Sequence, residues 1–380
     1  MPKHIITILL SILVPNIANA DLASHNYTDY INKKILTMSD DGRNDIVSPY
    51  IFKTMKKGNT YKDLPELLAV LKTLGHYNTD ADISKITMFD ERVENLVKQV
   101  QRAYGLKDDG IAGKQLYVNL SASSKLKRQA LVDWSNKVQE IQTEAKSNGF
   151  DKIIIVNIPT FTLKAMDLST GEVVLESPVI IGKTTRKTPL FTTNITGIKY
   201  NPTWTPPPGI MKADILPRLG KEDDTWIQKH GLIIKNKDGD EIDPVNLTRD
   251  DWRTGEYKIS QPAGDDNALG LLKFETDNAE NIYLHDTNSR KLFDRNERNL
   301  SSGCIRVQKW KDLAGFVSGK DTETIDLNLA KNRTYIEKVP KTPVYITYSL
   351  ADIVEDRIVF YPDVYNLFEN EILRGVKKSG

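Results

Sequence analysis

The spacing of hydrophobic residues divides the chain into a helical first part and a strand-rich second part. Leucines recur at helical spacing from Leu64 onward, and Gly75 closes the pattern. The same periodicity starts again near Asp90 and stops at Gly105, and a third repeat follows Gly113. We therefore predict three short helices between residues 61 and 121.

Two further helices are predicted, one on either side of this group. The segment 21–60 is polar and mixed, and the apolar residues around Ile31 predict one short helix in it. Residues 122–149 predict a long helix with one apolar face, which ends near Asn148 and Gly149. This helix is expected to connect the helical part to the strands that follow.

Beyond residue 150 the apolar residues alternate or run continuously, as they do in strands. Turn residues separate the short stretches, a pattern typical of an antiparallel, mostly β domain. We predict such a domain over residues 150–350, with a C-terminal strand and a fraying tail over 351–380. The clearest predicted strands are residues 153–158, 161–166, 343–348 and 357–361.

Residues 200–256 interrupt this β pattern. The three prolines Pro206 to Pro208 argue against a regular helix or a central strand there, and a short helix is expected over 210–216. Loops of this length are commonly lids or binding elements, and a structural insertion is the alternative. His230 is a candidate for either a cleft-lining or a structural residue.

Candidate chemistry concentrates in residues 283–307. This stretch contains Cys304, the only cysteine of the chain, and His285, one of five histidines. Alternation places Tyr283 and His285 on one face of a predicted strand. A thiol beside an imidazole is the pairing of a cysteine nucleophile with its general base. The alternative is a small buried cysteine and a structural histidine.

The residues around Cys304 predict how its thiol is activated. Ser302, Gly303 and Cys304 form a small-residue turn, and a helix is expected soon after, through Trp310. A cysteine just before a helix lies near the positive end of the helix dipole, which favours the thiolate. Gly303 permits a sharp turn that brings backbone N–H groups near the sulfur, where they are candidate oxyanion donors.

Composition argues against several classes of function. Lys plus Arg number 52 against 51 Asp plus Glu, which gives no electrostatic reason to expect nucleic acid or a polybasic membrane anchor. The sequence lacks the histidine and cysteine clusters of a zinc site, and one cysteine permits no internal disulfide. The composition therefore gives no reason to expect a zinc site.

The first 20 residues have the pattern of a secretory signal peptide. Lys3 precedes an apolar run over residues 5–14, and Ala18-Asn19-Ala20 matches an A-x-A cleavage site. The run is shorter than the ~20 residues that span a bilayer. We expect cleavage after Ala20 and export to the periplasm without a transmembrane span in the mature form. An uncleaved anchor is the alternative.

The stretch around Cys304 resembles the active-site signature of the L,D-transpeptidases (YkuD-type), in which a histidine precedes Ser-His-Gly-Cys by a loop of this length. Ser302 stands where most of the family has a second histidine, but the large periplasmic YcbB-like subgroup also has Ser-Ser-Gly-Cys. The matching residues are His285, Asp286, Thr287, Ser301, Gly303, Cys304 and Arg306.

The resemblance extends over roughly residues 150–350. The segments VNIPTFTLKAMD and VIIGKTTRKTPLF resemble the opening of the family's catalytic domain. The YcbB-like subgroup carries a capping subdomain at the position of residues 200–256, with similar NP-x-W, KADILP and DP segments. The resemblance therefore implies a substrate lid over Cys304, for which Trp204 and Trp226 are candidate residues.

The three helices predicted over residues 61–121 resemble a small peptidoglycan-binding module, although Val100 replaces a usual Phe and Leu116 a common Thr. Retained glycan affinity and a scaffold role both stay open for this module. The implied fold class is multidomain, with a helical N-terminal part before a mostly-β catalytic domain that carries an inserted lid. The matching residues are Gln101, Gly105, Leu106, Asp109, Gly110 and Gly113.

The resemblance implies acyl transfer through a thioester on Cys304. The thiol would attack the third residue of a peptidoglycan tetrapeptide stem, D-alanine would leave with a proton from His285, and an amine of a neighbouring stem would resolve the thioester. Arg306 would bind a substrate carboxylate or order the motif loop, and Ser302 would shape the turn. The candidate oxyanion groups are the backbone N–H groups of Gly303 and Cys304, and Tyr283.

Several outcomes of this chemistry stay open. Water in place of the amine would make the protein an L,D-carboxypeptidase or endopeptidase, and some family members attach a lipoprotein instead. An inactive, wall-binding scaffold is the alternative from another class. The resemblance also implies acylation of Cys304 by carbapenems, and it implies neither a metal nor another cofactor. Stem peptides are the expected partners, other cell-wall synthesis enzymes are further candidates, and nucleic acid is not expected.

Overall fold

The computed structural model describes residues 26–39, 52–221 and 225–368. The signal peptide predicted over residues 1–20 lies outside these ranges, as does the tail beyond residue 368. Within the described ranges, no helix is both long and apolar enough to cross a membrane.

Within the described ranges, five α-helices precede the first strand, as the periodicity predicts, together with a short 3-10 helix at Ile83–Lys85. Asp90 caps the third helix by accepting two backbone N–H groups of its first turn, and Ser123 caps the fifth by accepting one. Gly75 and Gly105 follow the second and third helices with φ of +75° and +68°, the left-handed conformation that ends helices. The helices are α1 (Tyr27–Thr37), α2 (Leu64–Thr73), α3 (Glu91–Ala103), α4 (Lys114–Ser121) and α5 (Ser124–Ser147).

Helices α2, α3 and α4 form a module with its own hydrophobic core. Leu67, Leu71 and Val97 are fully buried in it, and Met55 joins them from the segment before α2. Gln101 fixes the turn between α3 and α4, because its side chain binds three groups of that turn. It donates to Asp109 Oδ1 at 2.8 Å and to a backbone carbonyl, and it accepts the N–H of Gly110 at 2.9 Å.

The second part of the chain is rich in strands, and two helices follow the cysteine motif. The helices are α6 (Trp310–Ser318) and α7 (Thr322–Ala330). The strands are β1 (Lys152–Asn157), β2 (Thr162–Asp167), β3 (Val173–Gly182), β4 (Thr192–Tyr200), β5 (Ile233–Lys235), β6 (Lys258–Ser260), β7 (Leu272–Thr276), β8 (Leu284–His285), β9 (Asn299–Ser301), β10 (Ile305–Val307), β11 (Tyr335–Thr347), β12 (Ala351–Val354) and β13 (Arg357–Phe360).

Nine strands form one sheet in the order β10-β8-β7-β4-β11-β1-β2-β3-β9, and β10 also pairs with β3. The sheet is mixed, which corrects the antiparallel prediction. The pairs β1–β11, β8–β10 and β3–β9 are parallel, and the others are antiparallel. Parallel pairing needs a long connection between the two strands, so a search for short turns between neighbouring strands overlooks it.

The predicted strand at 357–361 is not part of this sheet. It forms a separate antiparallel hairpin, β12–β13, rather than a closing strand. The hairpin packs against α5 and the module, and the side chain of Asn119 in α4 binds both the N–H and the carbonyl of Phe360, at 3.0 and 2.7 Å. These contacts attach the helical module to the strand-rich part of the chain.

The two faces of the central strands pack on different layers. Ile154 and Val156 of β1 face a core that α6 and α7 complete. Ile153 and Ile155 face the opposite core, which α1 and α5 cover with residues such as Trp134. The long helix is thus a structural layer of the strand-rich part and not only a connection.

The insertion after β4 is a small subdomain with its own core, which includes Ile215, Ile227 and Ile259. It extends slightly beyond residue 256, because β5 pairs with β6 and the backbones of Trp204 and Gln261 bond to each other at its neck. The helix predicted over 210–216 is irregular. The helical segments of the whole insertion are Pro208–Ile210, the π-helical Met211–Ile215, Leu216–Arg218, Trp226–Lys229, Pro244–Asn246 and Arg249–Arg253.

Candidate active site

Two adjacent parallel strands bring the candidate residues together. In the register of β8 and β10, His285 lies opposite Arg306, and Leu284 lies opposite Ile305. Leu284 and Ile305 are buried in the sheet's core. Because side chains alternate along a strand, His285, Arg306 and the flanking Tyr283 and Cys304 belong to the other face.

Cys304 is not at the start of a helix, which corrects one prediction. Strand β10 follows Cys304 directly, and α6 begins only at Trp310. The helix dipole therefore does not activate the thiol. Burial raises the pKa of the Cys304 thiol, and a backbone hydrogen bond from Tyr283 and the charges of Lys273 and Arg306 only partly oppose that rise. The resting sulfur is a thiol rather than a thiolate at neutral pH.

His285 is buried, with 5% of its surface exposed, and it is uncharged at neutral pH. Burial, the neighbouring cation of Arg306 and the charge of Lys273 lower its pKa to about 3, although backbone hydrogen bonds oppose them. Nδ1 lies 2.5 Å from the carbonyl oxygen of Asp286. A carbonyl only accepts, so the Asp286 contact places the proton on Nδ1, and the backbone of Leu269 also contacts the ring. His285 is therefore in the form of a general base.

The thiol and the imidazole share a face without bonding to each other. Cys304 Sγ donates its hydrogen bond to the carbonyl oxygen of Asn281, at 3.8 Å, and no hydrogen bond joins it to His285. Asn281 has φ of +55°, a conformation that few residues other than glycine adopt. Resting enzymes often lack catalytic hydrogen bonds that form once substrate is bound. The roles of Cys304 and His285 stay predictions.

A network of hydrogen bonds holds the turn before Cys304. Ser301 Oγ donates to the carbonyl of Cys304 at 2.6 Å and accepts the N–H of Gly303 at 3.1 Å. Gly303 has φ of +123°, and a Cβ there would lie 3.2 Å from Ile282 Cδ1, so glycine is required. The Gly303 N–H is thus already used, contrary to its predicted oxyanion role. The N–H of Cys304 has no partner in the described ranges and is the candidate donor.

Thr188 anchors this turn from the other side, and sequence reasoning missed it. Its hydroxyl donates to the carbonyl of Gly303 at 2.7 Å and accepts the N–H of Gly182 at 2.9 Å. Tyr365 supports both neighbours, because its hydroxyl donates to the carbonyl of Gly182 at 2.6 Å and accepts the N–H of Thr188 at 3.1 Å. The only sequence signal was the Ile-Gly-Lys and Thr-Pro segment that contains Gly182 and Thr188.

Lys273 is a second residue that the sequence did not reveal. It lies directly opposite His285 in the pairing of β7 with β8. Its Nζ lies 3.9 Å from the centre of the Tyr283 ring and 3.0 Å from Glu275 Oε2. Lys273 is largely buried, so this cation acts on the Cys304 face through little solvent.

Arg306 provides the other cation of the site. Burial lowers its pKa, and its buried Nε makes no hydrogen bond in the part of the chain that the structure describes. An unsatisfied, buried donor beside the thiol could take a carboxylate oxygen. In the same ranges, no group of three or more His, Cys, Asp or Glu side chains could hold a metal ion.

Asp286 fixes the strand end that carries His285. It is fully buried, and its Oδ2 accepts the N–H of Leu271 at 2.9 Å and pairs with Arg290 at 2.6 Å. A Cβ at Gly270 would lie 2.2 Å from the same oxygen, so glycine is required at this approach. These contacts hold the carbonyl that orients His285.

The predicted lid contacts the motif loop through a charged residue and not through its tryptophans. Trp226 stacks on His230 with ring centres 3.9 Å apart, which also makes His230 part of the insertion itself, and Trp204 lies at the neck. Arg186 instead binds both carboxylate oxygens of Asp214 in the insertion, at 2.8 and 3.1 Å, and the hydroxyl of Ser302 at 2.9 Å. Sequence reasoning did not single out this pair.

Comparison with known proteins matches both parts of the chain. A family model described as "L,D-transpeptidase catalytic domain" matches residues 151–346, and one described as "Putative peptidoglycan binding domain" matches residues 60–119. A Haemophilus influenzae protein named "Putative L,D-transpeptidase" is 35% identical over 224 residues. That match spans 57% of this chain and 44% of the relative, which is less than half of the relative's length.

Solved structures give weaker similarities. An L,D-transpeptidase from Mycobacterium smegmatis is 12% identical with a TM-score of 0.26, over 52% of this chain and 58% of that one. The catalytic domain of an E. faecium L,D-transpeptidase, acylated by ertapenem, is 16% identical with a TM-score of 0.26, over 52% and 96%. Superpositions this poor carry no argument about this chain.

The family matches confirm the order of parts expected from the sequence, a helical peptidoglycan-binding region before a mostly-β catalytic domain. The catalytic-domain model alone covers more than half of the 380 residues. The chain belongs to the YkuD family of L,D-transpeptidases.

Proposed function

We propose that this protein is a peptidoglycan L,D-transpeptidase that cross-links stem peptides through an acyl-enzyme on Cys304. The observation that carries the proposal is the shared sheet face of Cys304 and the uncharged His285. The family match over residues 151–346 supplies the reaction class.

Both groups are uncharged at rest, so we propose general-base catalysis in the first step. His285 Nε2 takes the thiol proton while Sγ attacks the carbonyl carbon of the third residue of a tetrapeptide stem. The resulting oxyanion accepts a hydrogen bond from the backbone N–H of Cys304. When the C–N bond breaks, the imidazolium gives its proton to the nitrogen of the departing D-alanine. A thioester on Cys304 remains.

In the second step His285 again acts first as a base and then as an acid, and the sulfur is now the leaving group. An amine of a neighbouring stem attacks the thioester carbonyl, and His285 takes a proton from the amine nitrogen. The C–S bond breaks, the imidazolium returns the proton to the sulfur, and a new amide joins the two stems. No cofactor is needed, because the energy of the donor's amide bond is kept in the thioester.

We propose that carboxylates of the substrate bind the two cations of the site, Arg306 and Lys273. The unsatisfied Nε of Arg306 and the ammonium of Lys273 lie on the thiol's face. Within the described ranges, the Arg306 side chain makes no hydrogen bond to the motif loop, which favours its carboxylate-binding role over its loop-ordering role. Tyr283, under the Lys273 ammonium, is proposed to line the same site.

The insertion is proposed to be a lid that closes on the Cys304 turn. Its carboxylate at Asp214 is held by Arg186, which also contacts Ser302 two residues before the nucleophile. The separate core of the insertion would allow it to move as a unit about the neck at Trp204 and Gln261.

The cell envelope is the proposed location. Export would follow from the signal peptide predicted over residues 1–20, and it would place the mature chain in the periplasm beside its substrate. N-terminal sequencing of protein recovered from the periplasm tests this. A mature chain starting at residue 21 is expected, and a retained residue 1 would contradict it.

The experiment that tests the proposed reaction follows D-alanine release from a disaccharide-tetrapeptide, with and without an acceptor stem. Transpeptidation predicts a cross-linked dimer only when acceptor is present. Equal D-alanine release without any acceptor would instead establish the carboxypeptidase alternative. A Cys304→Ala variant that turns over like the wild type would exclude both reactions at this cysteine and favour the scaffold alternative.

A further inference from the structure

A large cleft lies between the helical module and the catalytic part, separate from the Cys304 turn. Its volume is about 720 Å³, within the range of ligand-binding clefts. One wall comes from the module, including Leu106 and Lys114. The other comes from the catalytic part and includes Phe161, Asn299 and Tyr361.

Hydrogen bonds at two places fix the width of this cleft. Near the motif loop, Lys107 Nζ donates to the carbonyl of Asp294 at 2.8 Å, and Asn296 donates to Asp109 Oδ2 at 2.6 Å. Beside the hairpin, the side chain of Gln115 donates to the carbonyl of Phe360 at 3.0 Å. Because both walls are tied together, a ligand would meet a preformed site rather than a gap that must close.

The lining presents polar groups that the protein leaves without partners. The side-chain amide of Asn299 and the hydroxyl of Tyr361 make no hydrogen bond within the described ranges, and both residues are partly buried. Phe161 adds an aromatic ring and has φ of +54°. Strained backbone in a non-glycine residue is concentrated at functional sites.

The charges of the lining favour an uncharged ligand. The guanidinium of Arg298 donates hydrogen bonds to the carbonyls of Val179, Arg295 and Phe161, at 3.0 to 3.1 Å. The charges of the lining nearly cancel, because three cations face two carboxylates: Lys107, Lys114 and Arg298 against Glu176 and Glu297. Free amides, hydroxyls and aromatic rings with so little net charge suit a neutral sugar with hydroxyl and acetamido groups.

We propose that this cleft binds a segment of the uncharged, N-acetylated glycan strand that carries the stem peptides. The proposal deepens the proposed function and rests on it for the identity of the polymer. It assigns glycan binding to a site shared by the module and the catalytic part, rather than to the module alone.

The position of the cleft relative to the nucleophile fits this assignment. Asn299 begins β9, and the chain runs from there through the turn to Cys304. Five residues span at most about 18 Å when extended, and the turn held by Ser301 brings Asn299 and Cys304 closer together than that. The three stem residues between the glycan and the attacked carbonyl reach about 11 Å when extended. A glycan held at Asn299 would therefore leave its stem long enough to approach Cys304.

The test measures binding of an N-acetylglucosamine hexamer by calorimetry, in a Cys304→Ala background that excludes turnover. Asn299→Leu combined with Tyr361→Phe removes both free polar groups and keeps similar side-chain volumes. We expect its Kd to rise at least 10-fold. Asn95→Leu is the matched control, since Asn95 is exposed and lines a separate depression on the module, which shares no lining residue with the cleft. Its Kd should stay unchanged.

Two results would overturn the proposal. Weaker binding by Asn95→Leu but not by the cleft double variant would move the glycan site to the separate depression on the module. No saturable binding of the hexamer by the parent protein would remove the glycan site altogether. Thermal unfolding of each variant shows whether it is folded.

A separate measurement distinguishes failure of the cleft from failure of the active site. With Cys304 present, the cleft double variant should still react with a carbapenem at the wild-type rate, because that small molecule does not need the cleft. Its cross-linking of intact sacculi should fall at least 10-fold. A cleft variant that cross-links sacculi as the wild type does would contradict the proposal, whatever the carbapenem result.

Discussion

Cys304 and His285 are both uncharged in the resting protein. Burial keeps the sulfur protonated, and burial together with the Arg306 and Lys273 cations keeps the imidazole neutral. The sequence predicted the pair but predicted a thiolate, because the motif alone could not show that a strand rather than a helix follows Cys304. The activating step is therefore expected to occur during attack.

This state predicts the acid side of the pH dependence. The pKa of His285 is lowered to about 3, so its neutral form persists well below the usual titration range of histidine. The rate of carbapenem acylation, measured by stopped-flow absorbance, should not show an acid limb near pH 6.5. A tenfold fall between pH 7 and pH 5.5 would contradict a permanently neutral base.

Thr188 is the most informative residue around the turn. Thr188→Val keeps the volume but leaves the carbonyl of Gly303 without its donor, and losing such a buried hydrogen bond costs about 1–3 kcal/mol. The acylation rate of Cys304 should fall at least 10-fold. The free energy of unfolding, measured by urea titration, should fall by about 1–3 kcal/mol.

Thr188→Ser is the control for this prediction, since it retains the hydroxyl. It should recover most of the lost rate. Equal damage by Val and Ser would show that packing of the methyl group matters instead of the hydrogen bond. Thr188 was not predictable from the sequence, because its partner Gly303 lies more than a hundred residues away in the chain.

At the scale of elements, the insertion and the motif loop meet at Arg186 and Asp214. If this pair holds the lid closed, Arg186→Gln and Asp214→Asn should each speed alkylation of Cys304 by iodoacetamide several-fold, and the double variant should add little. Partly exposed pairs contribute up to about 1 kcal/mol, so the effect should shrink in high salt.

The exposed pair of Asp250 and Arg253, also in the insertion, supplies the matched control. Asp250→Asn should leave the alkylation rate unchanged. The alkylation rate is measured as the rate of mass gain. If the effects of Arg186→Gln and Asp214→Asn on this rate are additive, the two residues act independently, and their ion pair does not hold the lid closed.

A buried ion pair joins three elements elsewhere in the molecule. Lys164 of β2 pairs with Asp352 of β12, and Asp352 Oδ1 accepts the hydroxyl of Tyr27 in α1 at 2.5 Å. Asp352→Asn would leave the buried Lys164 cation with only the longer, 3.7 Å ion pair to Glu176, and breaking a buried pair costs about 3–5 kcal/mol. Urea unfolding should show this loss, whereas the exposed Asp250→Asn should stay within about 0.5 kcal/mol of wild type.

An effect of Asp352→Asn no larger than that of Asp250→Asn would show that Lys164 is neutral or solvated in the folded chain. The hairpin that carries Asp352 illustrates what periodicity can and cannot predict. It predicted a strand near residues 357–361, but the strand's partner depends on packing against α5 and Asn119. Local patterns contain no information on such distant contacts.

For the whole molecule, the order of domains followed from the sequence and their contacts did not. Helical spacing before residue 150 and strand spacing after it predicted the two parts, and the family matches agree. The central strand β11 lies between β1 and β4, although it comes more than a hundred residues later. The tie between the module and the catalytic part likewise depends on side chains far apart in the chain.

The most direct test of the account follows the acyl group on the enzyme. Residues 21–380 are mixed with a tetrapeptide-stem donor, quenched in acid and examined by intact-protein mass spectrometry, beside Cys304→Ala. We predict a wild-type adduct equal to the donor minus D-alanine, mapped to Cys304, and none on the variant. Turnover without this adduct, or an adduct on Cys304→Ala, would contradict a cysteine acyl-enzyme.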